Sequence, residues 1–349
     1  MTANPRWKRR PPGSTWGDFG PDDQRGRLNL LTPKKVLEGI AEVKEGLTFC
    51  LSLPLDYPGG AKLNPRRHPP RLQPTVRDGK PNMNFPMERL DPKATDVISD
   101  DAVFMHLQYS TQWDSLAHVG QLFDADGDGK PEMVYYNGYR AGEHIVGPVD
   151  YRDGGEKPVD AEPGARALGI ENMATHCIQG RAVMIDLEAH FGRARKMVGY
   201  ADLMQVLEKD KVAVEQGDIV CLRTGFDRLI LGMNKKPDLS VLENACAGLD
   251  GRDERLLNWI TKSGLASLIS DNYAVELHPS RPCEAEHCAS LPLHEHCLFK
   301  LGVNLGELWL LSDLADWLRN HERYRFLMTA PPLRLPGAVG SPATPVGTV

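Results

Sequence analysis

Short apolar runs alternate with amphipathic helical stretches through most of the chain, and this alternation constrains the fold more than any other feature. Apolar residues recur at helical spacing over 200–209 and 253–263, and Gly264 follows the second stretch as a helix stop. Further helices are predicted at 32–46, 292–301 and 312–320, and strands at 47–55, 103–109, 182–187, 218–224 and 266–270. The pattern predicts a mixed α/β protein.

Residues 56–101 interrupt this pattern, because they are polar and proline-rich with almost no period. A loop of this length is usually functional or disordered, so we expect a lid, an arm that reaches another subunit, or a partly disordered insertion. We predict one α/β domain over 16–325, with a flexible N-terminal arm at 1–15. Residues 326–349 are rich in proline and are predicted to form a C-terminal arm without regular structure.

Charge and composition narrow the class of partner. The formal net charge of −6 is spread along 349 residues and forms no basic face, which argues against nucleic acid as a partner. No apolar run approaches the roughly 18 residues of a membrane span, and the basic opening segment lacks the apolar core of a signal peptide. Seven irregularly spaced cysteines fit reduced thiols. We therefore expect a cytoplasmic protein, without membrane or nucleic-acid contacts, that acts on a small molecule.

The segment 106–118 contains the residues best suited to bind a metal ion or transfer a proton. Gln108, Gln112 and Asp114 alternate with apolar residues, and His118 follows four positions after Asp114. One interpretation is a solvent-facing strand that leads into a helix capped by Asp114. The other is a metal site, because amide, carboxylate and imidazole groups at this spacing can converge on one divalent ion.

The order and spacing of the residues in this segment match a known family motif. Gln108-Tyr-Ser-Thr-Gln-Trp-Asp-Ser-Leu-Ala-His118 resembles the metal motif His-x-Gly-Thr-His-x-Asp-x-Pro-x-His of the cyclase and kynurenine-formamidase-like family of metal-dependent hydrolases, with glutamine in place of two histidines. The resemblance extends over the segments at 25–33, 217–225 and 294–308. It implies a swivelling β/β/α fold with a mixed sheet flanked by helices, and a homodimer or homotetramer.

The resemblance also implies roles for individual residues. His118 corresponds to the general base of the family, with a hydrogen-bonding role beside the ligands or a place on a helix face as the alternative. Apart from the resemblance, Trp113 and Arg67 are predicted to contact substrate, Arg67 because a guanidinium can bind a carboxylate through two hydrogen bonds. His296 is an alternative to His294 as the late ligand, and solvated loop charge is an alternative role for Arg67. The predicted metal ligands are Gln108, Gln112, Asp114, His294 and Glu307.

The two glutamines shift the expected metal. Amide oxygens suit manganese better than zinc, so Mn²⁺ is favoured, with Zn²⁺ as the alternative. The leading function is hydrolysis of a small non-peptide amide, lactone or cyclic amide. The alternatives are a manganese-dependent lyase or carboligase acting on a 2-oxo acid or hydroxy ketone, and a non-catalytic homologue that binds metal or ligand.

Two further clusters of potential metal ligands have simpler interpretations. Cysteines and histidines gather between Cys283 and Cys297, yet they lack the paired spacing of a zinc knuckle. Asp124, Asp126 and Asp128 resemble the start of a calcium loop, but Tyr135 stands where the bidentate glutamate belongs, so a hairpin turn is predicted.

Overall fold

A central mixed sheet organises the molecule. The computed structural model describes residues 4 and 6–349, and within them this sheet has nine strands, in the order β1-β9-β7-β3-β4-β5-β6-β2-β8. Strands β3 to β6 run parallel, and all other neighbours in the sheet are antiparallel. The strands are β1 (Thr48–Cys50), β2 (Gln112–Asp114), β3 (Gln179–Asp186), β4 (Ile219–Arg223), β5 (Ser267–Ser270), β6 (Asn304–Glu307), β7 (Arg325–Thr329), β8 (Gly340–Pro342) and β9 (Val346–Thr348).

Strands β3 to β6 are buried on both faces. Strands β3 and β4 contain nearly continuous apolar runs, as is typical of parallel strands. Val183 and Val220 face one apolar cluster, whereas Met184 and Cys221 face another. Helix side chains complete both clusters, so the sheet is covered by helices on each side. The helices are α1 (Pro33–Ile40), α2 (Glu171–His176), α3 (Leu187–Phe191), α4 (Tyr200–Lys209), α5 (Phe226–Gly232), α6 (Leu239–Leu242), α7 (Glu254–Ser263), α8 (Pro292–His294) and α9 (Ser312–Asn320).

Helix ends follow the predicted signals with one exception. Asp253 caps α7 by accepting hydrogen bonds from two backbone amides, and Gly264 ends it in the left-handed conformation at φ 69°. Thr32 caps α1 as predicted, but the helix ends at Ile40 and not near residue 46. Beyond Ile40 the backbone amides bond three residues back, from Glu42 to Gly39 and from Val43 to Ile40. The chain therefore continues as turns and not as an α-helix.

The C-terminal stretch differs from the expectation of an arm without regular structure. Strand β7 pairs with β3, β9 lies between β7 and β1, and β8 pairs with β2. For β8 and β9 the expectation was wrong because pairing with distant strands stabilises segments of three residues that are too short to be strands by their own preference. Strand β7 has a largely apolar sequence without glycine or proline.

The described part of the N-terminal stretch is also packed. Backbone amides of Lys8 and Arg9 donate to the carbonyl of Ala125, and the Trp7 ring lies against Trp16 at 6.2 Å between centroids. Residues 1–3 and 5 of the predicted arm lie outside the described residues.

The excursion at 56–101 contains two-stranded ribbons and not a continuous loop. Large apolar side chains are exposed along it, among them Leu72, Val76 and Val97. The predicted strand at 103–109 is shifted, because Asp101–Phe104 pairs with Arg71–Pro74 inside this excursion. The ribbon pairs here are Arg71–Pro74 with Asp101–Phe104, Val76–Arg77 with Lys80–Pro81, and Phe85–Pro86 with Val97–Ile98.

Short helical segments and two-stranded ribbons lie in the remaining loops. Within the described residues, 3₁₀ segments lie at Gly26–Leu30, Met87–Arg89, Tyr136–Gly138 and Arg152–Gly154, and a π-helix at Glu295–Leu301 continues α8. The ribbons pair Gln121–Phe123 with Glu132–Val134, Ile145–Val146 with Gly164–Ala165, Val149–Asp150 with Lys157–Pro158, and Lys196–Val198 with Ala247–Leu249.

The cysteines depart from the expectation of reduced thiols at one place. Cys283 and Cys288 form a disulfide, and their Cα atoms lie 6.6 Å apart across a short loop. The other five cysteines are free. Along the described residues, every helix is too short or too polar to cross a lipid bilayer.

Candidate metal centre

Strand β2 sets the geometry of the site. Because side chains alternate along a strand, Gln112 and Asp114 share one face and Trp113 points to the other. In the antiparallel pairing with β6, Glu307 lies directly opposite Gln112. On the other side of β2, Gly340 of β8 lies opposite Asp114. The site therefore lies where the two antiparallel strands β2 and β8 extend the parallel sheet.

Side chains from β6 and its continuation fix the backbone of β2. The indole Nε1 of Trp309 donates to the Gln112 carbonyl at 3.0 Å, and Nδ2 of Asn304 donates to the Asp114 carbonyl at 2.9 Å. Thr111 Oγ1 donates to the Leu308 carbonyl at 2.5 Å and accepts from the Leu53 amide. All these contacts are buried, so β2 is held rigidly.

Three ionisable side chains converge on this face. Nε2 of His294 lies 3.1 Å from Oε1 of Glu307 and 4.0 Å from Oδ2 of Asp114. One ligand atom from each of the three lies within 4.8 Å of the others, which is the spacing needed to hold a single metal ion. All three are buried, with Asp114 at 0% exposure. Three of the five predicted ligands are thus brought together.

The polar atoms without partners in this cluster test whether a cation fits. Both carboxylate oxygens of Asp114 are buried without any hydrogen-bond donor among the described residues. Gln112 donates from Nε2 to Oε2 of Glu307 at 2.7 Å, which leaves its Oε1 buried and likewise without a donor. Buried polar atoms almost always have partners. Unpartnered carboxylate and amide oxygens beside an imidazole fit a divalent cation.

The electrostatics of the cluster point the same way. Burial and the neighbouring charge of Asp114 raise the pKa of Glu307 to about 7. Burial lowers the pKa of His294, but hydrogen bonds to Glu276 and Glu307 outweigh burial and raise it to about 10. The carboxylates around His294 thus carry more negative charge than this one imidazole can compensate. A bound cation would relieve the repulsion between them.

His118 stands at the edge of the cluster. Its Nε2 lies 3.8 Å from Oδ1 of Asp114, and 22% of its side chain is exposed. It lies on a turn and not on a helix, since its amide donates to the Ser115 carbonyl. Burial lowers the pKa of this imidazole, so it is neutral and able to accept a proton near pH 7.

A small pocket adjoins the cluster and includes two of the predicted residues. Nη1 of Arg67 donates to the Gln108 carbonyl at 2.7 Å, and both residues line this pocket. The side-chain amide of Gln108 lies so close to Gly340 that a Cβ at this position would overlap it. Since Gly340 pairs with Asp114 of the neighbouring strand, the Gln108 amide also lies near Asp114. The lining residues are Pro58, Gly60, Leu63, Asn64, Arg67, Gln108, Tyr109, Tyr273 and Leu308.

Trp113 requires a correction. It was predicted to contact substrate, but it is fully buried on the opposite face of β2, where its ring meets Trp309 at 5.0 Å. Its Nε1 donates to the Ala330 carbonyl at 2.8 Å. The alternation of the strand, which places Asp114 in the site, necessarily places Trp113 in the core.

Glu276 was missed by the sequence analysis. Its carboxylate, 2% exposed, accepts hydrogen bonds from Nδ1 of His294 at 2.8 Å and from the His294 amide at 3.1 Å. An acidic residue between Val275 and Leu277 was the available signal, because a charge in an apolar run is rarely buried without a partner.

His294, and not His296, lies in the cluster. His296 makes its hydrogen bond to Oγ1 of Thr261 at 2.9 Å. Of the cysteines near it, Cys297 is buried in the core and Cys283 is bonded to Cys288, so the sulfur-rich stretch forms no zinc knuckle among the described residues.

The acidic loop at 124–128 lies apart from this centre. Its flanking strands, Gln121–Phe123 and Glu132–Val134, pair as an antiparallel hairpin, which confirms the predicted turn. Asp124 is paired with Arg9 at 2.7 Å.

Comparison with known proteins places the chain in a family. Residues 49–277 match the family model described as "Putative cyclase". A solved structure described as a novel cyclase is 30% identical, with a TM-score of 0.71 over 98% of this chain and 100% of the other. The chain belongs to this cyclase family, and the predicted α/β fold with a mixed sheet flanked by helices is confirmed.

More distant structures share the fold. Isatin hydrolase A from Labrenzia aggregata is 11% identical, with a TM-score of 0.54 over 90% of this chain and 97% of the other. Isatin hydrolase A from Ralstonia solanacearum is 13% identical, with a TM-score of 0.53 over 90% and 97%. No curated protein sequence matches the chain significantly.

Proposed function

We propose that this protein is a metal-dependent hydrolase that cleaves a small non-peptide amide, lactone or cyclic amide. The observation that carries the proposal is the buried Asp114 carboxylate, whose two oxygens face His294 and Glu307 and have no hydrogen-bond donor in the described part of the chain. A buried charge of this kind is costly unless a cation or a proton compensates it. Membership of the cyclase family and the shared fold of two hydrolases named for isatin support the same reaction class.

The residues that would hold the ion are Asp114, His294 and Glu307, together with the free amide oxygen of Gln112. Gln108 is an additional proposed ligand from the adjacent loop. This donor set is rich in oxygen and holds a single imidazole, which favours Mn²⁺ over Zn²⁺. One ion is proposed per chain. When bound, it would polarise the substrate carbonyl and lower the pKa of water.

His118 is the proposed general base. Its neutral imidazole lies beside the cluster but hydrogen-bonds none of the three convergent ligands, so it can take a proton from the attacking water at Nε2. The same nitrogen then returns the proton to the leaving nitrogen or oxygen. The 3.8 Å separation from Asp114 lets the carboxylate stabilise the protonated imidazole that forms between these two transfers.

Arg67 is the proposed substrate-binding residue. Its guanidinium lines the pocket and holds the Gln108 carbonyl, so it can present its remaining N–H groups to an anionic or carbonyl oxygen. The other pocket walls are largely apolar, from Leu63, Tyr109 and Leu308, and they suit a compact apolar body.

A reloading experiment tests the proposal. Protein stripped with a chelator is reloaded with Mn²⁺, Zn²⁺ or Mg²⁺ and assayed against formyl-amides, lactones and cyclic amides, with 2-oxo acids as the comparison set. We expect hydrolysis of a member of the first set that depends on added metal and is lost in Asp114→Ala. Metal-dependent cleavage of a 2-oxo acid alone, or metal binding without turnover of either set, would contradict the hydrolase assignment.

A further inference from the structure

The side chain of His294 is held from behind by a residue that lies outside the ligand cluster. Glu276 accepts from Nδ1 of His294 through Oε1 at 2.8 Å, and the same oxygen accepts from the His294 backbone amide at 3.1 Å. Its second oxygen accepts from the Leu293 amide at 3.2 Å. The shortest hydrogen bonds that this carboxylate accepts therefore come from His294 and the residue before it, and Ser280 donates a longer one at 3.5 Å.

A strained turn aims Glu276 inward. Val275 adopts φ 58°, a left-handed conformation that β-branched residues rarely take. The side chain of Asn272 holds the turn by accepting from the Val275 amide at 2.7 Å and donating to the Val275 carbonyl at 3.3 Å. Leu249 pairs with Glu276 across a parallel bridge. Strain of this kind persists only where the surrounding structure determines it, and it is common at functional sites.

The hydrogen bond to Glu276 determines the form of the imidazole once an ion is bound. Both ring nitrogens face carboxylates, and a carboxylate only accepts, so the ring of metal-free protein can carry a proton on each. When an ion displaces the proton that faces Glu307, Glu276 keeps the other proton on Nδ1 and leaves Nε2 free to bind beside Asp114 and Glu307. A metal ligand in this orientation is also made more basic by its carboxylate partner.

We propose that Glu276 is a positioning residue, which fixes the tautomer and orientation of His294 and thereby strengthens metal binding. The inference rests on the proposed function, because it requires His294 to be a ligand. Glu276 itself touches neither the ion nor the substrate. It acts through the imidazole.

A purely structural role is the competing explanation, since the same carboxylate accepts from two amides at the start of α8. The two roles separate in a double-mutant cycle. Mn²⁺ affinity is measured by the electron paramagnetic resonance signal of free Mn²⁺, for wild type, Glu276→Gln, His294→Ala and the double variant. Glu295→Gln is the matched control, because Glu295 is acidic, adjacent to His294 and paired with Lys300.

We expect Glu276→Gln to weaken Mn²⁺ binding by about 10- to 100-fold, the usual effect of removing such a partner. In the His294→Ala background the same substitution should change affinity by less than about threefold, because the imidazole through which it acts is gone. Glu295→Gln should bind as wild type does. An equal loss in both backgrounds would show a structural role and overturn the proposal.

A second measurement locates the proton on the His294 ring in wild-type protein, so it does not depend on a Glu276 variant that folds. In ¹⁵N-histidine-labelled wild-type protein loaded with diamagnetic Zn²⁺, the His294 signal is assigned by its absence from His294→Gln. The proposal expects the proton on Nδ1, and a proton on Nε2 would overturn it. Failure of wild type to bind Mn²⁺ or Zn²⁺ would overturn the proposed function as well, whereas metal binding that is indifferent to Glu276→Gln overturns this inference alone.

Discussion

Nε2 of His294 lies 3.1 Å from Oε1 of Glu307, while Nδ1 of the same ring lies 2.8 Å from Oε1 of Glu276. The imidazole is thus held between two buried carboxylates. A third, Asp114, lies 4.0 Å away and has no hydrogen-bond donor within residues 4 and 6–349. In the absence of a metal, the proton on Nε2 partly compensates this charge. A divalent ion would take the place of that proton and compensate the charge more fully.

The first prediction concerns the cost of Asp114 in metal-free protein. We expect Asp114→Asn to raise the free energy of unfolding of metal-stripped protein by about 1–3 kcal/mol, because it removes a buried carboxylate that accepts no hydrogen bond from the described residues. Denaturant unfolding in the presence of a chelator measures this. Asp313→Asn, at an exposed site on α9, is the control. A clear loss of stability in Asp114→Asn would show that the carboxylate stabilises the fold without metal.

The second prediction concerns His118. We expect His118→Ala to lower kcat by about 10²- to 10⁴-fold while metal content stays near that of wild type, since the imidazole is proposed to move protons and not to bind the ion. Steady-state kinetics and elemental analysis of the same preparation measure both. His190→Ala removes another histidine that is paired with an aspartate, Asp210, and should leave turnover unchanged. Loss of metal from His118→Ala would instead make His118 a ligand.

The third prediction concerns metal preference. Gln112→His restores an imidazole at a position where Gln112 now offers an amide oxygen, so Zn²⁺ affinity relative to Mn²⁺ should rise by about tenfold or more. Competition titrations with the two ions measure the ratio. Gln121→His, on a peripheral ribbon, is the control and should leave it unchanged. An unchanged ratio in Gln112→His would mean that this side chain does not face the ion.

The parallel strands and the long helices were predictable because their signals are local. Strands β3, β4 and β5 are buried on both faces and read as apolar runs, and α4 and α7 carry helical periodicity with clear ends. Strands β8 and β9 were not predictable, because each has only three residues and pairing with distant partners determines them.

The candidate site was predictable where its residues lie close together in sequence. Asp114 and His118 share one short segment, and His294 and Glu307 share another. The folded chain brings these segments together through the pairing of β2 with β6. Glu276 was missed because its role depends on a strained turn that no spacing reveals, and Trp113 was misplaced because the face of a strand is a tertiary property.

The fourth prediction concerns pH. Burial and the nearby charge of Lys300 lower the pKa of His296 to about 4, below the roughly 6.5 of an unfolded chain. As pH falls, the unfolded state therefore takes up this proton before the folded state does. The contribution of neutral, buried His296 to the free energy of unfolding is fully present above about pH 6.5 and is lost as pH falls toward 4. We expect His296→Asn to flatten the fall in unfolding free energy over this interval.

Denaturant unfolding at several pH values between 4 and 7.5, in chelator, measures this dependence. His287→Asn is the matched control, because the His287 side chain is 91% exposed, and it should follow the wild-type curve. If His296→Asn also follows that curve, burial of His296 does not govern acid stability.

The fifth prediction follows from the correction at Trp113. We expect Trp113→Ala to cost about 3–5 kcal/mol of unfolding free energy, because it empties a fully buried site beside Trp309. Trp113→Phe should cost less and leave KM unchanged. Thermal or chemical unfolding and steady-state kinetics measure these effects. A changed KM with unaltered stability in Trp113→Phe would return Trp113 to the substrate pocket.

Asp114, His294 and Glu307 are proposed to hold a divalent ion together. The stoichiometry of bound Mn²⁺ tests this, measured by elemental analysis of metal-stripped and reloaded protein after removal of free metal. We expect about one ion per chain in wild type and none above background in Asp114→Ala. Wild-type protein that retains no divalent metal, or Asp114→Ala that retains as much as wild type, would contradict it.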